Sequence, residues 1–352
     1  MKEKDIHKGL HSHISEDDPT ASARKEDHIK LAFKSQVDNG QIDKRFNYEP
    51  VLSAHPSISD LPKITFADKQ MKAPLWISSM TGGTELAKKI NTNLAMICKE
   101  FGLGMGLGSC RKLLDEDTYF EDFNMRPILG DEVPFFANLG IAQIEKLIKE
   151  NKLDKLIRML DKLEADGLII HINPFQEWLQ PEGDLITESP LTSINKLIQQ
   201  FDRKIIVKEV GQGMGPESLR ALMQLPIECI EFAALGGTNF SKLELFRSNI
   251  EAREIFSGLA KVGHTAEDMV LTVNELLEEL GDKAQCKQYI ISGGVKNFLD
   301  GYYLINKLNA SCIFGQASSF LKYAIEGYEQ VHDYTAAQIK GLALADAYLK
   351  VK

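Results

Sequence analysis

The segment from His171 to Asp184 carries the densest set of chemically active side chains in this sequence. It follows an apolar run that is typical of a buried strand. Because side chains alternate along a strand, His171 and Asn173 are predicted to share one face at the end of that strand. A proline then breaks the ladder, and Gln176 and Glu177 follow it. A histidine and a carboxylate placed together at a strand end can bind a metal or share a proton.

Two further groups of residues carry positive charge. Arg24-Lys25-x-x-His28 places three cationic donors within one turn if the segment is helical. Such a group suits a diphosphate, because charge-assisted hydrogen bonds are strong and arginine can bind two oxygens at once. Acidic residues interleave with these cations, so an ordinary mixed surface helix is the alternative, and composition alone favours it. Ser109 and Arg111, which follow a later apolar run, have the same two interpretations, a diphosphate site or an ordinary polar surface.

Short apolar runs alternate with longer amphipathic segments along the chain. The runs are Leu75–Ser79, Leu103–Gly106, Pro134–Ala137, Leu168–His171, Ile205–Lys208, Cys229–Phe232, Tyr289–Ile291 and Ser311–Phe314. Helical patterns fall between them, for example at Ile144–Leu163, Leu191–Phe201 and Ala266–Leu280. Eight such runs predict an α/β fold, a (β/α)8 TIM barrel with its active site at the carboxyl ends of the strands.

A doubly wound open sheet is the structural alternative to a barrel. That fold commonly has Gly-x-Gly-x-x-Gly at the start of a helix, with an acidic residue about 20 positions later. The sequence has no such arrangement, and Gly104-x-Gly106-x-Gly108 is better interpreted as a tight barrel turn. We therefore expect one barrel domain over residues 23–352, with an N-terminal substrate arm at its start and a C-terminal helix. A flexible tail over residues 1–22 is expected to precede it.

Glycine and small polar residues follow the seventh and eighth predicted strands. The segments are Ser292-Gly293-Gly294 and Gly315-Gln316-Ala317-Ser318-Ser319. In a TIM barrel these two strand ends commonly hold a phosphate on backbone amides and at a helix N-terminus. Either segment alone is equally consistent with a tight turn, but the presence of both predicts a phosphate site.

Other strand ends offer groups to a flat ligand lying across the barrel mouth. Met80-Thr81-Gly82-Gly83 follows the first strand, and Ala137-Asn138-Leu139-Gly140 follows the third. Lys208 ends a β-branched strand. It either pairs with the neighbouring Glu209 or presents a cation to the pocket, where it can stabilise an anionic reduced flavin.

Composition narrows the class of protein. The chain has 352 residues, 43% of them hydrophobic, and a net charge of −9, which argues against a general nucleic-acid binder. Its five cysteines are scattered and lack metal-ligand spacing, so we expect free thiols in a reducing cytoplasm. No apolar run approaches the roughly 20 residues of a membrane span, and the start lacks a signal peptide's apolar core. We therefore expect a cytoplasmic protein without a membrane partner.

Taken together, these segments resemble the type 2 isopentenyl diphosphate isomerases, FMN-dependent enzymes of the (β/α)8 fold. The matching pieces run in the family's order and are Arg24-Lys25-x-x-His28, Met80-Thr81-Gly82-Gly83, Gly108-Ser109-x-Arg111, Ala137-Asn138-Leu139-Gly140, His171-x-Asn173-x-x-Gln176-Glu177 with Pro181-Glu182-Gly183-Asp184, Val207-Lys208-Glu209-Val210-Gly211, Gly236-Gly237-Thr238-Asn239-Phe240 and Ser292-Gly293-Gly294. The resemblance implies interconversion of isopentenyl and dimethylallyl diphosphate, with FMN, Mg²⁺ and NADPH as reductant. It also suggests a homo-oligomer, a tetramer or larger.

The same resemblance implies roles for individual residues. Those implied to hold the substrate are Arg24, Lys25, His28, Ser109, Arg111, His171, Asn173 and Gln176. Glu177 would bind Mg²⁺, and Gln176 would lie beside the reacting alkene; these two are the implied catalytic residues. Those implied to hold FMN are Met80, Thr81, Gly82, Ser109, Asn138, Lys208, Thr238, Gly293, Gly294, Gln316 and Ala317. The sequence departs from the family's usual residues at Cys110, Phe232–Leu235, Phe256–Thr265 and Ala317–Ser319.

Two other functions are alternatives to the isomerase. A flavin-dependent oxidase or dehydrogenase of small hydroxy acids needs a histidine base and arginines near the flavin, and no such pair is evident after the sixth and seventh predicted strands. A flavin- or phosphate-binding protein without catalysis has no need of both Gln176 and Glu177. The isomerase is the function that the motifs favour.

Overall fold

The computed structural model describes residues 21–79 and 85–352. Eight parallel strands close into a barrel, which confirms the predicted fold. They are β1 (Leu75–Ile77), β2 (Gly104–Gly106), β3 (Phe135–Gly140), β4 (Gly167–His171), β5 (Lys204–Lys208), β6 (Cys229–Glu231), β7 (Gln288–Ser292) and β8 (Ser311–Gln316). Each strand pairs with the next one in the sequence, and β8 pairs with β1 to close the barrel.

Helices lie between the strands, as βα repetition requires. The α-helices after the first strand are Glu85–Phe101, Phe120–Phe123, Arg126–Leu129, Ile141–Lys149, Leu153–Leu163, Pro174–Leu179, Pro190–Ile198, Pro216–Met223, Phe240–Arg247, Ile250–Phe256, Ala266–Leu280, Phe298–Lys307, Ser318–Glu326 and Tyr328–Tyr348. Short 3-10 helices occur at Ile58–Asp60, Arg111–Leu114, Leu259–Lys261 and Gly281–Lys283. Short strands at Phe46–Tyr48 and Leu349–Val351 are not part of the barrel.

One predicted helix is divided into two in the structure, so that prediction was wrong. The pattern over residues 144–163 predicted a single segment, and the structure has two helices, Ile141–Lys149 and Leu153–Leu163. Asn151 lies between them with a φ of +52°, in the left-handed region that asparagine tolerates better than most residues. The Lys152 amide then donates to Leu147 O, which closes the first helix. The amphipathic pattern continues through the break, so periodicity alone does not reveal it.

The barrel interior is packed with apolar side chains. Trp76, Phe136, Ile169 and Ile290 belong to a core cluster in which each side chain is fully buried. An antiparallel hairpin, Ile64–Phe66 with Lys69–Met71, contributes Phe66 and Met71 to the same cluster. Its two turn residues, Ala67 and Asp68, both have positive φ, as a tight hairpin turn requires. The hairpin therefore adds buried apolar surface to the centre of the barrel.

The described part of the N-terminal unit runs from residue 21 to residue 46. It contains the helix Ala21–Leu31 and a 3-10 turn at Asn39–Gln41. Arg24, Lys25 and His28 lie on this helix, which confirms the helical spacing, and all three are exposed. Their predicted contact with a diphosphate stays a prediction, as does the boundary of a tail after residue 22.

All five cysteines are free thiols, and four of them are buried. Within residues 21–79 and 85–352, no helix is long and apolar enough to span a membrane.

Candidate active site

His171 ends strand β4 and contacts the neighbouring strand. Its Nδ1 lies 2.8 Å from Asn138 Oδ1, and Asn138 Nδ2 donates to Leu107 O at 3.0 Å. His171 is also the register partner of Lys208 on β5. Burial, together with the nearby charge of Lys208, lowers the pKa of His171 to about 3. The imidazole is therefore neutral at physiological pH in the free protein.

Asn173, Gln176 and Glu177 form a hydrogen-bonded group immediately after β4. The helix Pro174–Leu179 begins with proline at its first position, where the missing N–H costs no hydrogen bond. Asn173 Nδ2 donates to Gln176 Oε1 at 3.1 Å and to Glu177 Oε1 at 3.0 Å. Asn173 and Glu177 are buried, and the Asn173 Oδ1 atom has no hydrogen-bond partner among the described residues. The structure thus brings three of the predicted site residues together.

The loop after this helix holds Glu177 in place. Its Oε2 accepts from Gln180 Nε2 at 3.2 Å and from the Asp184 amide at 2.8 Å. A Cβ on Gly183 would overlap the Glu177 carbonyl oxygen, so the glycine is needed for the loop to pass this close. Glu177 is therefore an oriented carboxylate.

Asp184 connects this group to the end of β2. Its Oδ2 lies 2.7 Å from Arg111 Nη1 and accepts from Gln143 Nε2 at 2.8 Å. Gln143 Oε1 in turn accepts from the Gly140 amide at 3.1 Å, at the end of β3. Ser109 is exposed at the end of β2. Arg111 and Glu177, predicted to hold a diphosphate and a metal, are thus joined through one residue.

A cavity of about 710 Å³ lies at the carboxyl ends of β5 to β8. Six predicted cofactor-binding residues line it, namely Lys208, Thr238, Gly293, Gly294, Gln316 and Ala317. Lys208 faces the cavity and its Nζ donates to the carbonyl oxygen of Glu209 at 3.0 Å. The Glu209 carboxylate instead accepts from the amides of residues 211–213, so the alternative of a Lys208–Glu209 side-chain pair was wrong. Burial lowers the pKa of Lys208 and raises that of Glu209.

The backbone is unusually close-packed at the end of β7. Gly293 has a φ of +88° and Gly294 a φ of +74°. A Cβ on Gly293 would overlap the backbone of Ala234, and one on Gly294 would lie 2.9 Å from Leu235 O. The helix Ser318–Glu326 begins directly after β8, and Ser318 and Ser319 line the same cavity. Glycine amides and a helix N-terminus together form a cradle that suits an anion.

Two predicted cofactor residues already use their side-chain amides within the protein. Gln316 Nε2 donates to Val295 O at 3.2 Å, and its Oε1 accepts from Tyr334 at 3.1 Å. Asn138 bonds His171 and Leu107, as described above. A contact of Gln316 with a cofactor would use its backbone or the remaining N–H of its side-chain amide. Met80, Thr81 and Gly82 lie outside the described residues.

The cavity lining also includes a buried carboxylate that the sequence did not indicate. Glu231 ends β6, and its Oε1 accepts from Ser78 Oγ at 2.6 Å and from Ser292 Oγ at 3.1 Å. The available signal was an acidic residue inside the apolar run Cys229–Phe232. Gln143, which fixes Asp184, was missed as well because it lies in an ordinary helical pattern.

The closed barrel, with its cavity and polar cluster at the carboxyl ends of the strands, defines a (β/α)8-barrel enzyme. No protein-family model matches the chain. Curated relatives named isopentenyl-diphosphate delta-isomerase are 33% identical over 308 residues in Rickettsia rickettsii (strain Sheila Smith), covering 86% of this chain and 85% of the relative. The Rickettsia typhi relative of the same name is 34% identical over 306 residues, with 86% and 85% covered. The chain belongs to the isopentenyl-diphosphate delta-isomerase family, which confirms the resemblance.

Solved structures support the fold. A mandelate oxidase mutant with an FMN adduct matches with a TM-score of 0.52 at 12% identity, covering 88% of this chain and 89% of that one. A flavocytochrome b2 mutant with sulfite bound matches with a TM-score of 0.58 at 13% identity, covering 86% and 71%. At this level of identity the likeness concerns the barrel alone.

Proposed function

We propose that this protein interconverts isopentenyl diphosphate and dimethylallyl diphosphate in isoprenoid biosynthesis, with reduced FMN as the acid–base catalyst. The activity for which its relatives are named supports this substrate. The observation that carries the proposal is the link from Arg111 through Asp184 to Glu177. It sets a cation and an oriented carboxylate in one network. His171 ends β4, the strand that precedes this network. It is the register partner of Lys208, which lines the glycine-rich cavity.

The residues that line the cavity suit FMN in their chemistry. The Gly293–Gly294 turn has no room for side chains and can bring backbone amides against phosphate oxygens. The helix N-terminus at Ser318 adds the favourable end of a helix dipole. These features support a phosphate at the ends of β7 and β8.

Individual residues of the cavity would then hold the rest of the cofactor. Lys208 would place its charge beside the ring and stabilise the anionic reduced form. Thr238 and Ala317 would contact the cofactor from the ends of β6 and β8. When bound and reduced, FMN would supply a proton donor and acceptor beside the alkene. Asn138 would act mainly by orienting His171, and Met80, Thr81, Gly82 and Ser109 are proposed as contacts from the family resemblance.

The diphosphate would bind at the ends of β2 and β4. Arg111, His171 and Asn173 would hold its oxygens, and the cationic helix residues Arg24, Lys25 and His28 would add to them, as would Ser109. The hydrocarbon end of this substrate has no polar group with which the protein could form a hydrogen bond. Binding energy from the remote diphosphate would therefore position the alkene, with Gln176 beside it.

Glu177 would be the protein ligand of Mg²⁺. Among the described residues there is no group of three or more histidine, cysteine or acidic side chains that could hold a metal alone. Mg²⁺ is commonly bound by one or two carboxylates together with substrate phosphates and water, so a single oriented carboxylate fits. Glu177 Oε1 accepts one hydrogen bond, from Asn173, and keeps a lone pair for a cation.

The fold also occurs in flavin-dependent oxidation of hydroxy acids, which makes such an enzyme the second candidate. That chemistry needs a histidine base and an arginine at the flavin. Over the described residues, the side chains lining the cavity include the cations Lys208 and Lys296 but neither histidine nor arginine. The lining therefore favours the isomerase.

An isomerisation assay separates these candidates. Purified protein is expected to be yellow. With isopentenyl diphosphate, FMN, Mg²⁺ and NADPH under anaerobic conditions, it should form dimethylallyl diphosphate. Omission of the reductant is the matched control and should abolish turnover. Absence of product, together with FMN binding, would favour a flavin-binding protein without this activity, and dye reduction by small hydroxy acids would favour the oxidoreductase.

The role of Glu177 has its own test. Glu177→Gln should raise the Mg²⁺ concentration for half-maximal activity by roughly tenfold or more while leaving FMN affinity unchanged. Glu182→Gln, in the same loop but paired with Arg247, is the control and should behave like the wild type. Loss of FMN binding in Glu177→Gln would contradict the separation of the two sites.

We also infer a cytoplasmic homo-oligomer, a tetramer or larger, that uses NADPH or another reductant. The buried free thiols suit a reducing compartment. Trp178, Phe246, Ile250 and Ile255 are each more than 60% exposed, which supports a subunit interface. Light scattering of the purified protein tests the assembly, and a monomer at micromolar concentration would contradict it.

A further inference from the structure

One carboxylate oxygen of Glu231 has no hydrogen-bond partner among the described residues. The residue is 1% exposed at the end of β6. Its Oε1 accepts from Ser78 Oγ and Ser292 Oγ, whereas Oε2 is buried and has no hydrogen-bond partner among the described residues. A buried carboxylate oxygen without a donor is strongly unfavourable compared with one in water. A ligand that donates a hydrogen bond to Oε2 would remove this cost.

The position of Glu231 indicates where that donor comes from. Glu231, Ser78 and Ser292 all line the cavity at the ends of β5 to β8. Glu231 is the register partner of Lys208 on β5 and of Ile290 on β7. Paired residues on neighbouring strands point to the same side of the sheet, and both Glu231 and Lys208 line the cavity. A ligand in this cavity thus lies within reach of both.

The two serines fix which oxygen is available. Their hydroxyls come from β7 and from the residue after β1, and both donate to Oε1. This holds the carboxylate in one orientation and leaves Oε2 as the acceptor. Ser292 Oγ also accepts from the Ala233 amide at 3.0 Å, so its hydroxyl proton is committed to Glu231. Ser79 Oγ is a second buried atom of the lining without a partner among the described residues.

We propose that Glu231 Oε2 accepts a hydrogen bond from an N–H or O–H group of the bound flavin nucleotide. This makes Glu231 a cofactor-binding residue on β6, opposite in charge to Lys208. The inference rests on the proposed function, because it takes FMN as the occupant of the cavity. FMN has two sources of such a donor, the ring N3–H and the hydroxyls of the ribityl chain.

The test is the affinity for FMN of the Glu231→Gln variant, measured by flavin fluorescence on the apo-protein. The amide oxygen can still accept from both serines, while the amide nitrogen places a donor where Oε2 was. FMN should bind about 10- to 100-fold more weakly, the loss expected for one hydrogen bond to a charged group. Glu228→Gln is the matched control, since Glu228 lies just before β6 at the opposite end of the barrel and pairs with Lys204. It should bind FMN like the wild type.

Two FMN analogues, compared on the wild type and on Glu231→Gln, identify the donor. If the donor is the ring N–H, 3-methyl-FMN should bind the wild type more weakly than FMN does, and Glu231→Gln should not distinguish the two ligands. If the donor is a ribityl hydroxyl, the corresponding deoxyribityl analogue should behave in this way instead.

Two results would overturn the inference. Unchanged FMN affinity in a folded Glu231→Gln variant would do so, as would equal affinity of the wild type for FMN and every analogue. Tight FMN binding by the wild type in these cases would leave the proposed function intact. A wild type that binds no FMN at all would overturn both.

Discussion

His171 Nδ1 lies 2.8 Å from Asn138 Oδ1, and this contact determines which ring nitrogen carries the proton. Asn138 Nδ2 donates to the carbonyl oxygen of Leu107, so Oδ1 is the atom that faces the imidazole. An amide oxygen only accepts, and His171 Nδ1 must therefore carry a hydrogen. In the neutral ring Nε2 is then an acceptor. To donate to a diphosphate oxygen, His171 has to gain a proton at Nε2.

Diphosphate binding is therefore expected to take up a proton at His171. Burial and the charge of Lys208 hold the pKa of His171 at about 3 in the free protein, and an anion beside it would raise that pKa. Calorimetric titration with inorganic diphosphate and Mg²⁺ in buffers of different ionisation enthalpy measures the uptake. His171→Gln corrects for protons bound by the ligand itself. Equal uptake by the wild type and the variant would contradict the prediction.

The same histidine should make the free protein sensitive to acid. Its pKa is lowered from 6.5 to about 3 in the folded state, so between these values the unfolded chain binds the proton more readily. The contribution of neutral His171 to stability is thus complete above pH 6.5 and is lost as the pH falls towards 3. Urea unfolding at pH 7.5 and pH 5 should show a larger loss of unfolding free energy in the wild type than in His171→Gln. A parallel decrease in both proteins would count against it.

Arg111 offers a test of binding that is separate from stability. Its ion pair with Asp184 has side-chain exposures of 53% and 37%, so Arg111→Ala should change the unfolding free energy by less than about 1 kcal/mol. The affinity of the Arg111→Ala variant for diphosphate should nevertheless fall about tenfold or more, because a charge-assisted hydrogen bond is lost.

The matched control for Arg111 lies at the other end of the barrel. Arg203, just before β5, forms a comparable exposed pair with Asp161 at 2.8 Å. Arg203→Ala should leave diphosphate affinity unchanged. Equal loss in the two variants would point to a general effect of net charge, and calorimetry measures both.

The fold could be predicted from the sequence because buried parallel strands are continuous apolar runs with glycine or polar residues at their ends. The eight runs correspond to the eight strands, and the helix Ala266–Leu280 has the predicted bounds. The break at Asn151 was missed, because a single left-handed residue does not disturb the amphipathic pattern.

The candidate site was predictable where it is local in the sequence. Asn173, Gln176 and Glu177 lie within five residues of one another and do form one hydrogen-bonded group. Glu231 was not predictable in the same way, because its partners Ser78 and Ser292 are 153 and 61 residues away. The pairing of β6 with β7 brings Ser292 to it, and closure of the barrel brings Ser78.

Gly293 provides the sharpest test of the phosphate cradle. Its φ of +88° is unfavourable for alanine, and a Cβ there would overlap the backbone of Ala234. The overlap is with main-chain atoms, which cannot rotate away as a side chain can. Gly293→Ala should therefore cost about 2 kcal/mol or more of unfolding free energy. The turn would also move away from the position in which its amides can reach a phosphate.

The matched control for this prediction is Gly258→Ala. Gly258 has an ordinary helical backbone with a φ of −61°, and a Cβ there would meet nothing within 4 Å. Its effect on the unfolding free energy should stay within about 0.5 kcal/mol. FMN affinity should fall at least tenfold in Gly293→Ala and stay unchanged in Gly258→Ala. Because riboflavin lacks the phosphate, its affinity should fall much less in Gly293→Ala, and an equal loss for both ligands would mean that the substitution disturbs the whole cavity.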